Sequence, residues 1–456
     1  MRFGIVTVQT TALGDRSYLV HDGESALVVD PQRDIDRLEA VLAELGLRLS
    51  HVFETHLHND YVTGGLALAE RHGAAYVVPG GDAVSFERVP VADGQQFTIG
   101  QLSVVAHHTP GHTPNHMAYE VRHEGRPVAV LTGGSMLFGA VGRTDLISPE
   151  RTEELTRAQY RSVRRLAELL PGDVSVYPTH GFGSFCSATE TSGDESTIDN
   201  ERRQNLALTV GTEDAFVEQL LDGLTAYPSY YAHMGALNAA GPAAPDLSPP
   251  ERVDRDVLRE RLAKGEWIID LRQRRAYAAA HIGGTVCIEL GDGFATYFGW
   301  TIPWGSEVTL VAENPEQVAE ARRQLVRIGV DQLAGAAVGP IEEVAGGVTA
   351  SYEVTDFAGL AAAYGEEGQV ILDVRRPDEW AAGRVAGALH IPFFELAERL
   401  GEIPPGKVYV YCASGLRSTI ASSMLDRAGR RCVLVDDQWE QARNAGLPIE
   451  SASGAD

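Results

Sequence analysis

Positive charge is scarce in this chain: 38 Lys+Arg stand against 63 Asp+Glu, a formal net charge of -25 over 456 residues. A field of that sign repels phosphate backbones and anionic headgroups, which argues against nucleic-acid and membrane-surface partners. Lysine occurs only as Lys264 and Lys407, a bias that reads as composition rather than chemistry. Cysteine is rare too. Cys186, Cys287, Cys412 and Cys432 lie far apart with no C-x-x-C spacing, so a zinc knuckle and a disulfide framework are both disfavoured and each thiol is judged by its context. No apolar run reaches spanning length, and MRFGIVTVQTTALGD has no basic region leading into an apolar run; the expectation is a soluble cytoplasmic chain. With 44% hydrophobic and 22% charged residues the composition is ordinary globular, and at about 150 residues per domain it suits about three domains.

What is present begins with an α/β pattern. SYLV and ALVVD read as strands, IDRLEAVLAELG as an amphipathic helix and HVFET as a further strand. A helix around YVTGGLALAERHG precedes the strand segments AYVVP, QQFTIG, LSVVAHH, MAYEV and VAVLTGG, followed by the helix TEELTRAQYRSVRRLAELL and the strand VSVYP. SATETSGDESTIDNERR is polar and turn-rich. NAAGPAAPDLSPPERVD, near residues 237–251, reads as a linker, which ends a first domain near residue 240.

The remaining 200 or so residues hold an internal repeat. WIIDLRQRRAYAAAHIGGTV matches VILDVRRPDEWAAGRVAGAL at a constant offset of 103, pairing Asp270 with Asp373, Arg272 with Arg375 and Gly284 with Gly387. After a shorter loop VTLVAENPE meets VYVYCASGL at an offset of 100. Each copy reads as a small doubly wound α/β unit.

In the second copy the strand KVYVYC runs into ASGLRS and then a helical period, so Cys412 sits between a strand end and a helix start. A thiol there faces backbone N–H groups and the positive end of a helix, which stabilises a thiolate or a persulfide anion, and Arg417 adds a fixed charge. LDVRRPDEW, GRVAGALHIP and YCASGLRS together resemble a rhodanese (sulfurtransferase) domain. The resemblance implies an active loop of Cys412, Ala413, Ser414, Gly415, Leu416 and Arg417, with Cys412 carrying sulfane sulfur. The first copy has Ala312 where the second has Cys412, so it is expected to be an inactive rhodanese-like fold used for spacing, docking or interface shaping, and Cys287 reads as core packing.

The N-terminal region places His56, His58 and Asp60 after the strand HVFET, His112 in the turn HTPGHTPNH and His180 at the end of VSVYP. Three histidine sites at strand-to-loop junctions fit metal ligation, and their order and context resemble the metallo-β-lactamase superfamily, an αββα sandwich. TPGHT and GRTDL point within it to the persulfide dioxygenase and glyoxalase II branch. Two positions depart from that pattern: Tyr61 stands where the superfamily has a final histidine, and LTGGS puts Gly134 where it has an aspartate ligand. A dinuclear zinc hydrolase needs both. The persulfide dioxygenase resemblance implies mononuclear Fe(II), with zinc as the alternative, held by His56 and His112, and with His58, Asp60 and His180 as further candidates. His180 belongs in that pattern to the second-metal side that Tyr61 weakens. Glycine at 134 offers no side chain to block a returning carboxylate. Arg143 matches a position resembling the family's anchor for the glutathione carboxylate, against a structural salt bridge as the other reading; Cys186 is a partner thiol or a buried one.

The expected architecture is therefore α/β throughout: a metallo-β-lactamase-like domain over 1–240, an inactive rhodanese-like domain over 250–350 and an active rhodanese domain over 353–456. The resemblance implies oxidation of a low-molecular-weight, glutathione-type persulfide to sulfite, coupled to sulfane-sulfur transfer through Cys412 in thiosulfate chemistry and sulfide detoxification. The expected partners are a thiol persulfide, O2, sulfite and thiosulfate, with a homo-oligomer compatible. The rival is a sulfurtransferase alone, with a degenerate N-terminal binding module; a metal-dependent thioesterase comes third.

Overall fold

A computed structural model describes residues 3–189, 191 and 193–451; residues 1–2 and 452–456, the outer ends of the first and third expected domains, and residues 190 and 192 of the polar stretch lie outside the described residues. The chain divides into one unit of Met1–Asp246 with Leu325–Gly329 and a second of Leu247–Gln324 with Val330–Asp456.

In the first unit, short runs rich in Val, Leu and Tyr form two six-stranded sheets. One takes β1 (Gly4–Thr10), β2 (Asp15–His21), β3 (Ser25–Val29), β4 (Arg48–Phe53), β5 (Ala75–Pro79) and β6 (Val89–Val91) in chain order, antiparallel as far as β3 and parallel beyond it. The other takes β7 (Gln96–Ile99), β8 (Leu102–His108), β9 (Met117–His123), β10 (Arg126–Gly133), β11 (Ser175–Pro178) and β12 (Ser196–Thr197) in the order β12-β11-β10-β9-β8-β7. Tyr18, Val20, Leu27, Val29 and Phe53 pack with Val104, Ala106, Tyr119, Val121 and Leu131, so the inner faces of the two sheets share one core. Helices α1 (Asp36–Leu45) and α2 (Gly65–His72) cover the outer face of the first sheet through Leu38, Leu42 and Leu68. Helix α3 (Thr152–Leu169) covers that of the second with Val163 and Leu166. This is the four-layer αββα sandwich that the resemblance to the metallo-β-lactamase superfamily implies.

Two sequence readings change. The strand β1 forms from the N-terminal residues, which were assigned no element. A helix, Tyr231–Ala240, occupies the start of the expected linker and buries Asn238. Further back, the polar stretch closes on the helix Ile198–Gln204, whose N-terminus is capped by the Thr197 side chain.

The second unit holds both repeats, each with its own all-parallel sheet: Val286–Cys287, Trp267–Asp270, Val308–Ala312 and Gly335–Val338 in one, and Glu353–Thr355, Cys432–Val435, Lys407–Tyr411, Gln369–Asp373 and Leu389–His390 in the other. The repeat has a structural basis in a buried ion pair. Arg272 reaches both oxygens of Asp270 (Nε at 3.0 Å, Nη2 at 2.8 Å) and the Ala280 carbonyl, and Arg375 does the same with Asp373 (3.0 and 2.6 Å) and the Gly383 carbonyl. In each copy the pair joins the end of a strand, Trp267–Asp270 or Gln369–Asp373, to the end of the following helix. Removing one member strands the other charge in the core, so Asp373→Ala is expected to cost about 3–5 kcal/mol in urea unfolding of the full chain. A loss below about 1 kcal/mol would show that Arg375 finds other partners.

Candidate active sites

The N-terminal histidines stand on loops that leave the sheets at one edge. The segment from Glu54 to Gly64 joins β4 to α2, and Asp30 at the end of β3 pins its start: Thr55 N and Thr55 Oγ1 each donate to the Asp30 carboxylate at 2.7 Å, as does Thr179 Oγ1 from the end of β11. Asn238 pins its middle, donating to the carbonyls of His58 and Tyr61 at 2.8 Å and accepting from Thr63 N at 2.9 Å. Asn238 therefore belongs to the site, although it stands in a stretch that reads as linker.

His56, His58, Asp60, His112 and His180 are all buried together. The His56 ring centroid lies 4.8 Å from that of His112 and 5.2 Å from that of His180. Each of three rings has its Nδ1–H tied. His56 Nδ1 donates to Thr55 Oγ1 at 2.8 Å, His112 Nδ1 to the Arg143 carbonyl at 2.7 Å and His180 Nδ1 to Asp15 at 3.0 Å, with Asp60 at 3.1 Å. That arrangement turns the Nε2 atoms inward, as the outer partners of metal-ligating histidines do. His56 and His180 Nε2 are 3.2 Å apart, and His112 Nε2 is buried without a hydrogen-bond partner. His180 thus lies in one cluster with His56 and also beside Asp60.

His58 differs. Its Nε2 faces Asp30 at 3.3 Å, Glu54 at 3.2 Å and the Tyr61 hydroxyl at 3.0 Å. Burial opposes its charge, but Asp30 and Glu54 outweigh burial and push it up to about 9. Likewise burial is outweighed at His180 by Asp60 and Asp15, which push it up to about 10, whereas burial and the neighbouring rings hold His112 down at about 3. His56 is held well below the usual histidine range by burial and its four histidine neighbours. His116, stacked 5.0 Å from His56, accepts from Gly134 N at 3.0 Å and is bonded to Thr109 at its other nitrogen, so both its ring atoms are committed.

The residues fit a cation by their donor chemistry. Two groups, His56–His58–His180 and His112–His180–Cys186, each hold three donor atoms within 4.8 Å of one another, as do Asp15–Asp60–His180 and Asp30–Glu54–His58. Gly134 does not fit as expected. A Cβ built there would lie 2.2 Å from His112 Cδ2 and 2.6 Å from its Cγ, so the imidazole fills the room that a returning carboxylate needs. The expectation of unobstructed space at 134 is corrected by the position of that ring.

Arg143 is buried at 2% exposure. Its guanidinium binds Asp145 through Nε at 2.7 Å and Nη2 at 2.8 Å, reaches the carbonyls of Phe185 and Thr225, and stacks over Tyr227 at 4.4 Å. The substrate-anchor reading gives way to a structural one, because the charge is already neutralised and out of solvent. Through its backbone Arg143 still serves the site, since its carbonyl orients His112.

In the second unit, Cys412 follows the strand Lys407–Tyr411 directly and is 1% exposed. Gly415 N donates to Cys412 Sγ at 3.2 Å and Ser418 Oγ lies 3.4 Å away, at the start of the helix Leu416–Arg427. Gly415 has φ +91°, and a Cβ there would meet Asp436 Oδ1 at 2.1 Å, so the turn needs glycine. Ala413 is held through its carbonyl by Trp439 N at 2.8 Å. Arg417 pairs with Glu379, Nη2 to Oε1 at 2.8 Å. Burial alone would raise the Glu379 carboxyl, but the hydrogen bonds and charge of Arg417 hold it below the usual range. The first copy contributes here: Arg274 binds Asp436 at 2.7 Å and reaches the Ser414 carbonyl at 3.5 Å, Leu416 approaches Gly293, and the Tyr297 ring packs 5.5 Å from Phe393. Where Cys412 stands, the first copy has Ala312, fully buried at the end of its strand. Cys287 is buried as expected. Sequence reading missed Asp15, Asp30, Asn238 and Glu379; of these only Asp30, closing the apolar run ALVVD, carried a local signal.

Comparison with known proteins follows the same division. Residues 11–180 match the metallo-beta-lactamase superfamily and 357–445 the rhodanese-like domain. The human mitochondrial persulfide dioxygenase is 29% identical over 202 residues, covering 43% of this chain and 73% of that protein. A probable metallo-hydrolase of Burkholderia pseudomallei is 30% identical over 241 residues, covering 44% of this chain and 79% of that protein. The crystal structure of a metallo-beta-lactamase from Staphylococcus aureus matches with a TM-score of 0.66 and 26% identity, covering 74% of this chain and 99% of that one. These likenesses support a role in sulfur metabolism.

Two variants test the geometry. Gly134→Asp is expected to displace the His112 ring and weaken divalent-metal binding by at least about tenfold, read by metal titration; tighter binding would mean that the ring yields and the carboxylate returns as a ligand. Gly415→Ala is expected to lower sulfane transfer to cyanide at least about tenfold by opening the turn that points an N–H at Cys412, and an unchanged rate would remove the turn from the chemistry.

Proposed function

Because this chain belongs to the metallo-β-lactamase superfamily and carries a rhodanese-like domain, we propose that it oxidises a low-molecular-weight, glutathione-type persulfide to sulfite and transfers sulfane sulfur through Cys412. The observation that carries the reading is the pairing on one chain of a buried imidazole cluster with inward Nε2 atoms and a cysteine cradled by a backbone N–H at a helix start.

In the first reaction a persulfide, O2 and water give a thiol, sulfite and two protons. Iron(II) held by His56 and His112, with His180 beside them, would supply open positions and electrons for joining O2 to sulfur. The protein's share is positional. Thr55 and the Arg143 carbonyl fix the His56 and His112 tautomers, Asp15 and Asp60 hold His180, and burial shields the cluster from bulk solvent.

In the second reaction the Cys412 thiolate attacks the outer sulfur of a donor, the donor's S–S bond breaks and its thiolate leaves, so that Cys412 carries the sulfane sulfur. Sulfite then attacks that outer sulfur, thiosulfate departs, and the Cys412 thiolate is restored. The Gly415 N–H and the helix start stabilise the sulfur anion on either side of each transfer, and Arg417, fixed by Glu379, keeps a cation by the loop. Placing both reactions on one chain raises the effective concentration of sulfite at Cys412.

A second reading, a sulfurtransferase with a non-oxidising N-terminal module, is favoured by one observation: the His112 ring stands in the place of the family's carboxylate ligand. Thioester hydrolysis at two metals is disfavoured, since the Tyr61 hydroxyl faces His58 in place of a further ligand.

Metal content and O2 uptake on adding glutathione persulfide separate these readings. Iron with uptake supports the oxidising enzyme, whereas cyanide-dependent sulfur transfer without metal or uptake leaves the transferase alone. Cys412→Ser is expected to abolish sulfur transfer, a loss of at least about a thousandfold, while O2 uptake stays within about twofold of wild type. Near wild-type transfer in that variant would remove Cys412 as the sulfur carrier.

A further inference from the structure

No carboxylate stands at position 134, and besides Asp15 and Asp60, which are bound to His180 Nδ1, a further anion-forming side chain reaches the histidine cluster. Cys186 is fully buried on the loop that follows His180. Its donor atom lies with those of His112 and His180 in a group whose members are all within 4.8 Å of one another. The loop is pinned on both sides of the thiol: Arg143 N donates to the Cys186 carbonyl at 2.9 Å, Cys186 N to Ser184 Oγ at 3.2 Å, and residues 142 and 187 form an antiparallel bridge. The same Arg143 residue that holds Cys186 through its N–H orients His112 through its carbonyl. Ligand and thiol are thereby registered by one stretch of backbone.

His112 supplies an independent sign of a ligand. Its Nδ1–H is used, its Nε2 lone pair is buried without a partner, and leaving such an atom bare costs about 1–3 kcal/mol. His180 likewise has its Nδ1 fixed by Asp15 and Asp60, leaving its other nitrogen toward the cluster. We propose that Cys186 replaces the lost carboxylate as the anionic ligand, giving a divalent first-row metal a site of His112, His180 and the Cys186 thiolate, with His56 adjoining. Binding exchanges the thiol proton for the metal. A thiolate in place of a carboxylate favours softer metals and makes the bound ion more electron-rich. This inference rests on the metal-dependent reading given above but concerns which atoms hold the ion.

The test uses the full-length protein, stripped with chelator and titrated with Co(II), whose bond to a thiolate gives a near-ultraviolet charge-transfer band separate from its visible bands. One equivalent of Co(II) is expected to produce that band in the wild type and in Cys412→Ser. In Cys186→Ser the band is expected to vanish while Co(II) binding weakens by at least about tenfold. Cys186→Ala guards against a serine oxygen taking the ligand's place. The wild-type spectrum decides by itself, even where a variant fails to fold. Bound Co(II) with visible bands but no thiolate band would overturn the ligand assignment and leave the metal-dependent reading standing. The same holds for a band that survives in Cys186→Ser or disappears in Cys412→Ser. No stoichiometric binding would overturn both.

Discussion

Asp30 ends β3 in the left-handed region at φ 51°, and its fully buried carboxylate accepts from Thr55 N, Thr55 Oγ1 and Thr179 Oγ1 while facing His58 at 3.3 Å. Those partners come from the ends of two strands, β4 and β11, so one carboxylate sets where the His56 loop leaves the first sheet and where His180 leaves the second. Burial would raise its pKa, but His58 and the hydrogen bonds hold it down. Each hydrogen bond to a charged group is worth about 1.5–3 kcal/mol, and desolvating the carboxylate costs several kcal/mol in return. On that arithmetic the hub adds little net stability. What it sets is geometry: with Asp30 charged, Thr55 must donate to it, and Thr55 Oγ1 is left able only to accept from His56 Nδ1. The His56 tautomer is thus decided two bonds away from the ring.

The two repeats in the second unit separate scaffold from chemistry in a similar way. Both keep the Asp–Arg pair that locks strand to helix, with the same atoms bonded at nearly the same distances. The residue in register at the end of the strand Val308–Ala312 or directly after Lys407–Tyr411 separates them chemically, Ala312 in one copy and Cys412 in the other. A buried ion pair is costly to break from either side, so it holds strand to helix in both copies whatever residue stands at the Cys412 position. The first copy also touches the Cys412 loop, since Arg274 and Arg275 pair with Asp436, the residue whose oxygen closes the space beside Gly415.

Much of this was legible in the sequence, for identifiable reasons. The strands ALVVD, AYVVP and LSVVAHH announce themselves by apolar runs between breakers, and His56, His58, Asp60, His112 and His180 by their places at strand ends. The repeat was readable because the Asp–Arg spacing is covalently short. Asn238 was not, because its three hydrogen bonds join it to residues about 180 positions away and its surroundings are small and helix-neutral. Glu379 was hidden for the same reason, its partner Arg417 being 38 residues on. The room at Gly134 was misjudged because glycine in a sequence signals an absent side chain but says nothing of which neighbour has moved in. His112 has done so.

That last point bears on whether the N-terminal site is a relic. A metal site that had merely lost its use would be under no physical pressure to keep its imidazoles oriented. Filling the pocket with apolar side chains would relieve the cost of buried polar atoms, which at about 1–3 kcal/mol apiece is a large share of a domain's stability. Here the outer partners remain in place: Thr55 for His56, the Arg143 carbonyl for His112, Asp15 and Asp60 for His180. Each spends a hydrogen bond on turning an Nε2 inward, and at His112 that leaves the atom buried and unmatched. An arrangement that holds this cost in the free protein is explained when something binds there and removes it. The departures at Tyr61 and Gly134 therefore leave the orientation of these three imidazoles in place.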